Sequence, residues 1–290
     1  MSFLNKYCLQ PKLNISTLLK INAVFKEQKW TLDNENMSSL YNRFCTRLSQ
    51  LASEEQELII DLTKRFVVIP QREYLKYFME IIHNPSLFED SIVKKSNKIY
   101  ILPLISKEDI GKIKSSSFLW YCLKSTEVQY DSYFAEKKLC FHEGPDGLSS
   151  KINDNPHACL LLVDDYIGSG KTAESAVSYC AEFGINPQKI VIAAIAAQRA
   201  GVDALRIKGI TVYTNTVLNR GISDWYTGDG LAEAICTMKS IEKKLKVAEE
   251  FKFGYEKSEA LITLSRTPNN TFPVFWLEKG AYGVAPFPRN

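Results

Sequence analysis

The stretch LLLVDDYIGSGKTAESA, Leu160 to Ala176, decides how the chain is read. It opens as a short apolar run, places two acids side by side at Asp164 and Asp165, and turns through Gly168 and Gly170 into helix-forming residues. Its GSGKT ending is half of a Walker P-loop, but the glycine that lets such a loop curl around a phosphate falls at Asp165, where a carboxylate would face the phosphates. What remains is a buried strand ending at Val163, a small turn and a helix start. The free amides and dipole at such a start attract an anion, with donors at hand from Gly168, Ser169, Gly170, Lys171 and Thr172. Carboxylates only accept, so the acid pair suits hydroxyl groups or a hydrated metal rather than the phosphate. A phosphate with a vicinal diol beside it, as in ribose 5-phosphate, fits both halves. Because successive strand residues face opposite ways, both acids reach one sugar only if the strand breaks at Asp164.

Outward from this stretch the pattern alternates. ACLLLVD reads as a buried strand, and GKTAESAVSYCAEFG as a helix with Ala173, Ala176, Val177 and Cys180 on one face and Gly184 at its end. KIVIAAIAA, RAGVDALRIKG and ITVYTNTV continue as strand, helix, strand, and KIYILPLI with SSSFLWYCLK precedes them as strand and helix. That order argues for an α/β fold, a parallel sheet with flanking helices. Residues 1–95 read as a helical N-terminal region, with 96–290 as the α/β domain and its C-terminal tail. In the helical region, SEEQELIIDLTKRF opens with a capping signal at Ser53 and Gln56. QREYLKYFMEIIHN spaces Tyr74, Phe78 and Ile81 helically before Asn84 and Pro85 stop it.

Composition narrows the class. A net charge of +3 across 290 residues does not by itself point to nucleic acid. Seven cysteines without a C-x-x-C pair suit a reduced cytoplasm better than a disulfide scaffold or a zinc site. His83, His142 and His157 stand too far apart for a helical metal pair. The N-terminal MSFLNKYCLQPKLN has no long apolar core, so neither a signal peptide nor a membrane span is expected.

LLLVDDYIGSGKT resembles the motif of the type I phosphoribosyltransferases: four apolar residues, two acids, two more apolar residues, then a small turn ending in Gly-x-Thr. The clear resemblance spans roughly Lys98 to Val217. It implies that Asp164 and Asp165 hold the ribose hydroxyls of 5-phosphoribosyl 1-diphosphate (PRPP), and meet Mg²⁺ indirectly through ribose and water. It implies further that Gly168 to Thr172 hold the 5-phosphate, with a nitrogen acceptor taking the sugar and pyrophosphate leaving. Two positions depart from the motif. Tyr166 replaces an aliphatic residue, and Gly168 stands where the hypoxanthine-guanine branch carries an aspartate, which argues against purine salvage by that route. DDYIGSGKTA with the late RTPNNTFPVFW also resembles a divergent phosphoribosyltransferase-like group of bacterial conflict and phage-defence systems, sometimes beside retrons.

A transferase of this kind implies further parts. Gly111, Lys112 and Lys114 are the candidate pyrophosphate loop. The irregular stretch from Ser125 to Asn155, with Lys137, Lys138 and His142, is the candidate lid. Arg266, Asn269 and Asn270, beside the rings of Phe272, Phe275 and Trp276, are the candidate acceptor hood. Each also reads as ordinary surface or packing. Two alternatives stay open: a PRPP- or nucleotide-binding regulator without efficient catalysis, and a toxic effector acting on nucleotides. A homodimer, and a protein or nucleic-acid partner in a defence module, stay open as well.

Overall fold

The computed structural model describes residues 13–84, 91–112, 114–279 and 283–289. Cys8, the expected helix stop at Pro85 and most of the N-terminal stretch lie outside them. Along the chain the principal elements are α1 (Ile15–Glu27), α2 (Leu40–Ser49), α3 (Ser53–Lys64), β1 (Val67–Val68), α4 (Tyr74–Ile82), β2 (Lys98–Pro103), α5 (Ser115–Cys122) and β3 (Lys138–Phe141). They continue as α6 (Ser149–Asn153), β4 (Ala158–Ile167), α7 (Lys171–Glu182), β5 (Ile190–Gln198), α8 (Arg199–Ile207), β6 (Thr211–Tyr213), β7 (Thr216–Leu218), α9 (Gly228–Lys244) and β8 (Ile262–Thr263). None of the helices is long and apolar enough to cross a membrane, among the described residues. Two compact units result, Met1–Val68 with Arg220–Asn290, and Ile69–Asn219. The chain thus divides at 68/69 and 219/220, where the change from a helical to a strand–helix sequence pattern suggested 95/96, and α4 belongs to the second unit.

The second unit is the α/β body. Its sheet runs β3-β2-β4-β5-β6, every pairing parallel, with β7 also on β5. All nine residues of β5 are buried, the near-continuous apolar run expected of a parallel strand covered on both faces. The chain steps outward from β2 to β3, then back across to β4 and on to β5 and β6. With right-handed crossovers that reversal sends α5 to one face and α6, α7 and α8 to the other. Leu160, Leu162, Ala173, Ala176, Cys180, Val202 and Leu205 form the core of the latter face. Order reverses between β2 and β4, and the crevice beyond their carboxyl ends is where open parallel sheets take ligands.

In the first unit, α1, α2, α3 and α9 enclose a core of rings. Phe25 meets Phe44 edge-on at 5.4 Å, and Phe66 stacks on Phe287 at 4.6 Å and touches Phe275 at 4.7 Å. β1 and β8 pair in parallel beside it. The cap of α3 differs from expectation. Glu55 accepts from the Ala52 amide at 2.8 Å, so Ala52 is the cap residue and Ser53 the first residue of the helix. Gln56 turns inward, accepting from Thr17 Oγ1 and donating to the carbonyls of Leu48 and Leu51.

Candidate functional site

Strand β4 does not break at Asp164. Asp164 pairs in register with Ala194, and the ladder continues through Tyr166–Ala196 and Ile167–Ala197. Tyr166 and Ile167 favour extended backbone, and the alanines of β5 let the two strands run together past the acids. The expected break is therefore absent and the two residues leave the strand on opposite faces, but Asp164 Oδ1 turns back to accept from the Asp165 amide at 2.8 Å, which keeps the two carboxyl groups close enough to interact. Asp164 lies in line with Leu160 and Leu162, on the α7 side. Its carboxyl is crowded although the residue keeps some surface. Desolvation first, and the neighbouring Asp165 second, push its pKa well above the usual carboxylate value. Asp165 faces α4 and α5 and is 5% exposed. Its Oδ2 accepts from Tyr74 Oη at 2.8 Å and its Oδ1 from Ser115 Oγ at 2.6 Å. The next residue on the strand, Tyr166, has a buried hydroxyl with no hydrogen-bond partner among the described residues.

The turn that follows is open. Lys171 and Thr172 are exposed, and Gly168 and Ser169 are half-buried. Gly170 caps α7 at φ 86°, a left-handed conformation that suits glycine. The first backbone bond of α7 runs from the Glu174 amide to the Gly170 carbonyl. Among the described residues no hydrogen bond takes up the amides of Gly168, Ser169, Thr172 or Ala173. α8 approaches the turn closely: a Cβ on Gly201 would stand 2.0 Å from the Gly168 carbonyl oxygen. These are the features of an anion site at a helix N-terminus.

The loop after β2 folds around Asp109. Lys114 Nζ lies 2.7 Å and Lys112 Nζ 2.9 Å from its carboxylate. Partial burial works against the charge, but hydrogen bonds from these two lysines outweigh it and hold the Asp109 pKa at about 2. Both candidate pyrophosphate lysines are thus engaged within their own loop. Beneath it opens a small pocket of about 110 Å³, lined by Pro103, Ile110, Glu143, Leu162, Ala176 and Tyr179 among others. Ala176 is the sixth residue of α7, roughly 7.5 Å along the helix axis from its first residue, so this pocket is not the Gly168 turn.

With this geometry in place, comparison with known proteins gives a family. The sequence model of PRTase-CE matches residues 42–288. The chain belongs to the PRTase-CE family. Among solved structures, it is similar to a purine phosphoribosyltransferase from Pyrococcus horikoshii Ot3, at 12% identity over 53% of this chain and 86% of that one, with a TM-score of 0.28. It is also similar to APRTase from Giardia lamblia complexed with 9-deazaadenine, at 13% identity over 51% and 80%, TM-score 0.30. A third is orotate phosphoribosyltransferase from Aeropyrum pernix, at 11% identity over 59% and 75%, TM-score 0.29. No curated protein matches the chain.

The remaining sequence candidates of this PRTase-CE protein fall elsewhere. The expected lid contains edge strand β3. Lys138 is its first residue and pairs with Lys98 at the amino end of the sheet, opposite the end that carries Asp164. Lys137 spends its ammonium on the carbonyls of Lys94 and Ser96 at 2.9 and 2.7 Å. His142 does follow the carboxyl end of β3, beside Tyr100. Arg266, Asn269 and Asn270 belong to the first unit. Arg266 is exposed, but Asn270 is buried and donates to Tyr255 O and Ser258 Oγ. Phe272, Phe275 and Trp276 are buried, so these rings are core and not an exposed stacking wall. Sequence reading missed Tyr74, Ser115 and Gly201. Gly201 had a signal, a glycine in the first turn of a helix, which costs stability and marks a close approach. Tyr74 had none beyond its apolar spacing.

Proposed function

We propose that this PRTase-CE protein binds PRPP and transfers 5-phosphoribose to a nitrogen acceptor, releasing pyrophosphate. One observation carries this reading: the turn after β4 presents uncommitted amides at Gly168, Ser169 and Thr172 at the mouth of α7, just past the strand end that carries Asp164 and at the point where strand order reverses. The turn holds the 5-phosphate, and Asp164 holds a sugar hydroxyl. Fixing both ends of the sugar aligns C1 for displacement, a positioning effect rather than covalent catalysis. Mg²⁺ fits this donor set, since a cation near Asp164 relieves the burial and the neighbouring charge that oppose its ionisation. When bound, such an ion neutralises the leaving diphosphate. Among the described residues no cluster of three or more His, Cys, Asp or Glu side chains is arranged to hold a metal.

Calorimetric titration of PRPP with and without Mg²⁺ tests the reading, followed by assay of pyrophosphate release with mixed nucleobases. Asp164→Asn is expected to weaken PRPP binding at least roughly tenfold, the loss of a charged hydrogen-bond acceptor. It is also expected to raise the Tm of the free protein at neutral pH. A group whose folded pKa is raised gives stability that is lost as pH climbs through that pKa, and asparagine does not ionise. Unchanged PRPP affinity in Asp164→Asn would sink the site. A binding regulator without efficient transfer is the second reading, favoured by the engaged lysines of the Asp109 loop. Binding without pyrophosphate release would select it.

A further inference from the structure

Asp165 is a carboxylate whose two oxygens each already hold a hydroxyl. Tyr74 reaches one at 2.8 Å and Ser115 the other at 2.6 Å. Two hydroxyl donors on the two oxygens of one carboxylate is the arrangement a vicinal diol makes. A carboxylate has lone pairs to spare, but Asp165 is 5% exposed, so room rather than acceptor capacity is what an incoming sugar lacks.

The two donors differ. Tyr74 is fully buried on α4, its ring edge-on to Phe118 at 6.1 Å, and is held by packing. Ser115 is half-buried, the first residue of α5, and directly follows the loop that Lys112 and Lys114 fasten to Asp109. Its hydroxyl is not spent on capping α5: the cap position is Lys114, without a side-chain cap bond. Ser116 beside it has a buried hydroxyl with no partner among the described residues, so this helix start carries serines for something other than its own amides.

We propose that Ser115, backed by Tyr74, inhibits the sugar site from within the chain, and that a ribose phosphate engages Asp165 by displacing the Ser115 hydroxyl. The inference rests on the proposed sugar-phosphate site and gives it a regulatory element. Tyr74 stays in place and orients the carboxylate, while the Ser115 hydroxyl turns away from it.

The test is calorimetry on the full chain with ribose 5-phosphate and with inorganic phosphate. Ser115→Ala removes the competing donor, and ribose 5-phosphate is expected to bind roughly tenfold tighter than to the wild type, about the value of one hydrogen bond to a charged group. Inorganic phosphate, which uses only the turn, is expected to bind equally to both. Ser115→Thr, which restores a hydroxyl, is expected to return the wild-type affinity. Equal or weaker sugar binding by Ser115→Ala overturns the proposal, as does a parallel gain for inorganic phosphate, which would place the effect in the turn. Tyr74→Phe keeps the ring packing and removes the second donor. A smaller gain than that of Ser115→Ala supports the division of roles, and a larger one overturns it. Pyrophosphate release reads the transferase proposal separately. Tighter sugar binding without release keeps the inhibitory contact and removes the transferase, and release without the gain does the reverse.

Discussion

At Gly201 a hydrogen in place of a methyl lets the first turn of α8 lie against the carbonyl of Gly168. A Cβ 2.0 Å from that oxygen has no rotamer to escape through, since both partners are backbone. Gly201→Ala must therefore push α8 and the Gly168 turn apart. A loss of about 1–3 kcal/mol is expected, the usual cost of overpacking, together with weakened binding of inorganic phosphate. Thermal melts and phosphate titration on the same preparation check both. The next residue, Val202, has little freedom to share the strain, because it is buried in the face that α7 and α8 share. Asp164 and Asp165 show the same sensitivity to position: one step along a continuous strand separates a crowded carboxyl whose charge is opposed from one held by two hydroxyls. Residue types alone made the pair visible. The partners that distinguish its members come from 91 and 50 positions away, so no local pattern contains them.

Among the elements, those with strong periodicity were legible. α7 buries Ala173, Ala176, Val177 and Cys180, the face its spacing implies, and β2, β4 and β5 lie where apolar runs predict parallel strands. Less legible were elements made by tertiary contact. β3 is only four residues long and not fully buried, and turn formers on both sides hide it. β4 runs on past its acids because β5 offers alanines to pair with. The C-terminal aromatics read equally well as a recognition wall or as packing, and burial decides for packing. α9 carries a feature no periodicity reveals. Glu242 is almost wholly buried, accepts from the Phe253 amide, and has its other oxygen without a partner among the described residues. Burial pushes its pKa up to about 7 despite that hydrogen bond. Its folded pKa is raised, so its contribution to stability is complete below the unfolded value of about 4.5 and is lost as pH rises through 7. Glu242→Gln is expected to match the wild type at about pH 4 and to exceed it by about 1–3 kcal/mol at about pH 8, read from urea melts at both values.

Across the whole molecule, the first unit is assembled from both ends of the chain. Phe66 from the early segment packs on Phe275 and Phe287 from the late one, and β1 pairs with β8. Phe275→Ala is expected to cost about 3–5 kcal/mol, as for a large ring removed from a close-packed core, and to lower the urea midpoint accordingly. The second unit has no such dependence, for its strands and helices follow one another without interruption from Ile69 to Asn219. Order of manufacture then matters. As the polypeptide leaves the ribosome at about 5–20 residues per second, the α/β body is fully supplied once Asn219 has emerged, whereas Phe66 waits roughly 10–40 s for its ring partners. During that interval the greasy sides of α1, α2 and α3 have no permanent cover, which makes the nascent chain, rather than the finished protein, the form most in need of a chaperone.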